Sequence, residues 1–244
     1  MSENPPISSA IGDVPPYRAR LIAPASHTLT ILLGFGYFSV GQAMQVSSAV
    51  AAQGPISHRA MLRAYALNIA LEWGMAYWAW AGVHWKGGSL NTLTSGRWTS
   101  WRNLLADIAI AIPFWIVWEL TAWLVHLAVD HVKTPTAPYQ PPSGFLEIFF
   151  WILLSVSAGI CEEVVYRGYL QKQFAVATRS IALGVILQGA VFGLSHTYQG
   201  WKQVMVITAL GVLYGAFAAW RRNLRANIIA HAWSDVFEGW LRFV

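Results

Sequence analysis

In CEEVVYRGYLQ (161–171), two adjacent carboxylates and an arginine follow the apolar run FLEIFFWILLSVSAGI with no turn signal between them. Glu163 and Arg167 are four residues apart with the acid on the N-terminal side, the order that an i,i+4 ion pair favours on one helical face. Glu162 points about 100° away from Glu163 and has no base three or four positions from it. It is the carboxylate left over for chemistry. NIIAHAWSDVFEGW (227–240) repeats this logic, with His231 and Asp235 four apart on one face and Asn227 one turn earlier. VFGLSHTYQG (191–200) adds His196 beside a helix-end signal. The interval from Glu162 to His196 is 34 residues and that from His196 to His231 is 35, so successive helices each deliver polar groups.

A carboxylate and two imidazoles in a partly dry cavity suit the activation of water. The carboxylate takes the water's proton, and an imidazole orients that water or protonates the leaving group. A second imidazole with a carboxyl or amide neighbour can stabilise the oxyanion of a tetrahedral intermediate. The same atoms (Glu162, His196, His231 and Asp235) could instead ligate zinc, which accepts imidazole nitrogen and carboxylate oxygen. No HExxH spacing is present, which favours the metal-free version and leaves zinc as the alternative.

The elements that must hold these groups read as membrane helices. Of the 244 residues, 56% are hydrophobic and 11% charged, less than half of the ~25% charge typical of soluble domains. Mean hydropathy is +0.44, and many of the 14 tryptophans sit near the ends of apolar runs, as interfacial belts require. A pI near 9.5 then reflects loop arginines rather than nucleic acid. Seven apolar segments are expected to be helices: 28–52, 62–84, 104–129, 145–170, 177–195, 203–220 and 226–243. Glu72, Asp107 and Glu119 lie in the leading segments, where they are expected to satisfy polar groups of neighbouring helices. The single cysteine, Cys161, excludes an intrachain disulfide and is expected to be an inert small hydrophobe.

Residues 1–26 read as a flexible cytoplasmic tail and 27–132 as three leading transmembrane helices. KTPTAPYQPPSG (133–144) reads as a Pro-rich loop, and 145–244 as a four-helix catalytic core. Alternate loops carry ten and five of the lysines and arginines, which by the positive-inside rule predicts a cytoplasmic N-terminus. One feature strains against these boundaries. At ~1.5 Å per residue, Glu162 and His231 come out roughly 12 and 8 Å deep, but His196 roughly 22–30 Å. Either the fifth segment starts late, with 171–182 along the interface, or the boundaries are misplaced.

The three motifs EEVVYR (162–167), FGLSH (192–196) and HAWSD (231–235) match EExxxR, FxxxH and HxxxN/D patterns in that order. Over about 145–243 the chain resembles the CPBP family of CAAX prenyl proteases and bacteriocin-processing, Abi-type intramembrane proteases. The resemblance implies that Glu162 and His196 activate water, that His231 and Asp235 stabilise the oxyanion, and that Glu163 and Arg167 are structural. Asp235 departs from the asparagine of the eukaryotic prenyl-protein proteases, although the family pattern allows either; an ionised aspartate would repel an oxyanion, so the resemblance requires it to be protonated, paired with His231 as imidazolium, or used to bind a metal. The expectation is an all-α polytopic bundle of about seven transmembrane helices. It would act without a cofactor as an intramembrane glutamic endopeptidase on a membrane-associated protein or peptide, in a lipid bilayer and with no nucleic-acid partner. Three alternatives stand beside it: a zinc metallopeptidase, a non-enzymatic scaffold or immunity protein that keeps the fold, and a transporter, for which no inverted repeat is visible.

Overall fold

The computed structural model describes residues 20–52, 57–131 and 141–241. Residues 1–19 of the expected N-terminal tail and most of the Pro-rich loop lie outside them, but the end of that tail is not free: Ala23 is buried, Gln173 holds Ile22 and Ala23 by hydrogen bonds, and α1 begins at Ala25. Every regular element among the described residues is helical: α1 (Ala25–Ala52), α2 (His58–Trp85), α3 (Leu90–Thr94), α4 (Trp101–Val129) and α5 (Gly144–Glu162) come first. A π-helical segment (Glu163–Leu170) and α6 (Gln171–Thr178) follow, then α7 (Ile181–Leu194), a 3₁₀ turn (Thr197–Gln199), α8 (Trp201–Arg221) and α9 (Arg225–Leu241). Three helical stretches are long and apolar enough to cross a membrane: 101–129, the continuous 144–178 and 201–221. α7 is a shorter apolar helix. Over its described residues the chain is thus an all-helical membrane protein.

The strained boundary falls between the fourth and fifth segments. The fourth does not end at 170 but continues through the π segment and α6 to Thr178, where Arg179 turns into the left-handed region (φ 56°). Ser180 then caps α7, its Oγ accepting from the Leu183 amide at 3.2 Å. Glu162 therefore stands roughly 24 Å along the helix from Thr178, and His196 roughly 22 Å along from Ile181, at 1.5 Å per residue. The two share a level. Gly168 lies against the Leu93 carbonyl and Leu224, so α9 begins beside the lower π segment and His231 reaches that same level.

Around the π segment the helices form a ring, with α5 packed between α2 and α9, and α4 against α8 and α9. α7 lies along α8, and α1 rests on α2 and the 3₁₀ turn. Small residues set the closest approaches. A Cβ on Gly159 would meet Ala232 of α9 at 2.7 Å, and one on Gly189 would meet Val212 of α8 at the same distance. Exposed Leu105, Ile112, Ile116, Leu120 and Leu127 make the outer face of α4 apolar, as a lipid-facing helix requires. Its one buried acid, Asp107, is 1% exposed and takes Arg221 at 3.0 Å, Arg225 at 2.8 Å and the Trp98 indole N–H at 3.1 Å. That cluster ties α4 to the α8–α9 corner.

Enlarging Gly159 to leucine wedges α5 from α9 and is expected to cost about 1–3 kcal/mol, the usual range for overpacking. Thermal unfolding in detergent checks this; a melting temperature equal to wild type would show that the helices do not approach as described.

Candidate active site

The π segment carries the buried centre of the site. Glu163 and Arg167 form an ion pair at 3.0 Å, and both side chains are wholly shielded from solvent. Burying such a pair requires that its remaining hydrogen-bonding capacity be used. Glu163 does this through α9. His231 Nδ1 donates to its Oε1 at 2.8 Å, and Asn227 Nδ2 donates to its Oε2 at 3.2 Å. Asn227 also donates to the Tyr214 carbonyl of α8 at 3.0 Å. The Arg167 guanidinium lies over the rings of Phe192 (4.4 Å to the centroid), Tyr214 (5.1 Å) and Tyr166 (5.8 Å), where ring faces attract a desolvated cation. Glu163 is therefore more than half of a local i,i+4 pair: it also orients a histidine from another helix.

Glu162 is placed differently. Its side chain keeps 19% exposure, and its Oε2 stands 3.5 Å from His231 Nε2. Asp235 Oδ2 is 3.8 Å from that same nitrogen. Since a carboxylate only accepts, Nδ1 of His231 carries a proton toward Glu163, and Nε2 is the atom that faces Glu162 and Asp235. One imidazole is thus clamped from behind and presented between two acids.

His196 is fixed by its own loop. Its Nδ1 sits 2.8 Å from the Phe192 carbonyl and 3.1 Å from Ser195 Oγ. A carbonyl only accepts, so Nδ1 is the protonated nitrogen and the lone pair of the neutral ring lies on Nε2. Ser195 Oγ accepts from the Tyr166 hydroxyl at 2.8 Å and donates to the Phe192 carbonyl at 2.7 Å, locking this turn to the π segment. Phe192 meets His196 edge-on at 5.0 Å and His231 edge-on at 6.0 Å. Glu162, His231 and Asp235 are direct neighbours; His196 faces them across Phe192, with no ion pair to Glu162 among the described residues.

Sequence reasoning placed Glu72 outside the site, yet α2 brings it there. α2 and α5 run in parallel, in a register marked by the His58–Glu147 ion pair, the Tyr65–Trp151 ring contact (5.9 Å) and the hydrogen bond from Trp73 Nε1 to Ser157 Oγ (3.1 Å). This sets Glu72 between one and two turns before Glu162, within electrostatic range of Glu162 and Asp235. The sequence signal was a carboxylate in an apolar helix, and only the α2–α5 pairing says where it points.

Among the described residues no three His, Cys, Asp or Glu side chains group to hold a metal ion.

Residues 144–237, from α5 through most of α9, match a family model described as type II CAAX prenyl endopeptidase Rce1-like. No curated protein and no solved structure matches the chain. Over that segment, which is less than half of the chain, it is similar to the CPBP/CAAX proteases, a family of endopeptidases.

Removing one partner of the buried pair leaves a charge uncompensated. Arg167→Met alone is expected to cost about 3–5 kcal/mol. Adding Glu163→Gln to it should return part of that loss. Thermal unfolding of the single and double variants decides the point, and equal loss in both would mean that the pair is not coupled.

Proposed function

We propose that this chain is an intramembrane endopeptidase that hydrolyses a peptide bond of a membrane-associated protein or peptide by direct attack of water. The observation that carries this reading is the contrast between two adjacent carboxylates. Glu163 is sealed and fully engaged, while Glu162 is partly accessible and faces His231 Nε2. A sealed carboxylate holds structure, whereas an accessible one beside an imidazole can take a proton from water.

In this mechanism Glu162 removes a proton from a water molecule whose oxygen adds to the scissile carbonyl carbon. The fixed lone pair on His196 Nε2 accepts the water's other hydrogen and orients it. Charge moves to the carbonyl oxygen, beside His231 and Asp235. The C–N bond then breaks, and Glu162 returns its proton to the leaving nitrogen. The reaction so drawn needs no cofactor. The family description makes a lipid-modified protein terminus the first substrate class to examine. The seven-pass topology read from the apolar segments and the cytoplasmic N-terminus read from the charge count belong to this proposal.

Glu162→Gln keeps the size and hydrogen bonding of the side chain but removes the base, and general-base contributions are typically ~10²–10⁴-fold. Cells making equal amounts of wild type or Glu162→Gln, with membrane proteins labelled at their new N- and C-termini, test the reading. Termini near lipid anchors or membrane segments should disappear in the variant. Identical profiles from two folded, abundant proteins would refute the protease reading and favour a binding or scaffolding role.

A further inference from the structure

The matched segment, 144–237, carries every group of the proposed mechanism, yet part of what holds His196 lies outside it, on α1. His196 comes two residues after the end of α7 and has φ −105° and ψ 20°, in the sparsely populated bridge region where turn and active-site residues sit. The last carbonyls of a helix also lack partners inside it. The direction of the His196 ring therefore depends on what ties down the peptide units just before it.

α1 supplies those ties. Its buried side is a stripe at every fourth residue, His27, Ile31, Phe35 and Ser39, while Leu33, Tyr37 and Val40 are exposed. Residues spaced by four share one helical face. That face runs along α6 and the π segment. Gln173 holds Ile22 and Ala23, Thr28 Oγ1 lies 3.1 Å from the Tyr169 hydroxyl, and the Phe35 ring stacks on Tyr166 at 4.9 Å with 16° between planes. One turn beyond Phe35, Ser39 Oγ donates to the carbonyls of Ser195 (3.0 Å) and Leu194 (3.3 Å). The Ser195 carbonyl belongs to the peptide unit that carries the His196 amide. Phe35 bears on the same turn through Tyr166, whose hydroxyl donates to Ser195 Oγ at 2.8 Å. Both ties converge on the contact that fixes the imidazole, His196 Nδ1 to the Phe192 carbonyl at 2.8 Å.

We propose that Ser39 is a positioning residue of this site. From α1 it holds the 194–196 turn, so that His196 keeps Nδ1 on the Phe192 carbonyl and presents the Nε2 lone pair to the attacking water. Ser39 touches neither substrate nor water and acts only through His196. α1 is then a working part of the catalytic unit, although it lies outside the segment that the family model matches. The catalytic part of this role rests on the endopeptidase reading.

Two readouts on Ser39→Ala test the proposal, with Thr28→Val as the control. Thr28→Val removes the bonds of α1 to Tyr169 and to Gln173 Nε2 (2.8 Å), so it loosens the same helix at a level away from His196. The first readout is the ¹⁵N-histidine spectrum of the full chain in detergent, recorded where the ring is neutral, with the His196 signals assigned by their loss in His196→Gln. Wild type and Thr28→Val should show a single tautomer with the proton on Nδ1. Ser39→Ala should show averaging with the Nε2–H form. The second readout is the time course of Glu162-dependent protein termini at matched abundance. Misplacing a catalytic group by ~1 Å can cost ~10²-fold, so Ser39→Ala should slow terminus formation by about 10- to 100-fold, and Thr28→Val should stay within about 3-fold of wild type. Wild-type His196 signals in Ser39→Ala, a wild-type rate, or an equal loss of rate in Thr28→Val would each overturn the proposal and leave the protease reading intact. If no terminus depends on Glu162, the protease reading falls, and the spectrum alone still decides whether Ser39 holds the His196 turn.

Discussion

An arginine in the centre of a helical membrane domain must be compensated, because transferring its charge from water costs several kcal/mol even after relaxation. Arg167 is compensated twice: by Glu163 at 3.0 Å and by the three aromatic faces of Tyr166, Phe192 and Tyr214. Those partners come from the π segment, α7 and α8, and Glu163 recruits α9 through His231 and Asn227. One buried pair thus draws four elements onto a common centre. Loosening it would free both the histidine that faces Glu162 and the ring that separates the two imidazoles. π-helical segments are rare and concentrate at functional sites, and here the wider turn carries the pair itself.

From that constraint the division between adjacent carboxylates follows. Consecutive residues on a helix point about 100° apart, so when Glu163 is turned into the sealed centre, Glu162 is turned to a partly accessible side. The same clamp sets the state of the histidine. With Nδ1 committed to Glu163, only Nε2 of His231 can meet a substrate. His196 is prepared independently by the Phe192 carbonyl. The two imidazoles are therefore fixed by different acceptors, a carboxylate and a peptide carbonyl, which suits them to different tasks.

Much of this was legible in the sequence. The helices at 25–52, 101–129 and 201–221 lie within three residues of the ranges their apolar runs predict, because length and hydropathy are local properties. The end of the fourth segment was not legible, and the reason is instructive. Gln171, Lys172 and Gln173 look like the start of a polar loop, yet each is spent on carbonyls of other elements. Gln171 donates to Gly215, Lys172 to Thr92 and Leu93, and Gln173 to Ala23. Polarity that served as glue was indistinguishable from polarity that serves water. The sequence marked Glu72 as a buried acid but not its neighbours, for a similar reason: its place depends on the parallel pairing of α2 with α5, a long-range fact with no local trace. The short helix α3, which Lys172 caps, was likewise unread. The spacing of Glu163 and Arg167 showed that the two could meet, but not that His231 would join them.

The central claim is that Glu162 delivers water directly to the peptide carbonyl, with no covalent protein intermediate. Single-turnover cleavage in ¹⁸O-labelled water, using a substrate identified from Glu162-dependent termini and quenched early for intact-protein mass spectrometry, tests it most directly. The account predicts one ¹⁸O in the new C-terminal carboxyl group and no mass added to the protein at any time. An adduct that forms and decays within the turnover, on Cys161, Ser195 or any other side chain, would contradict it and reassign Glu162 to a supporting role.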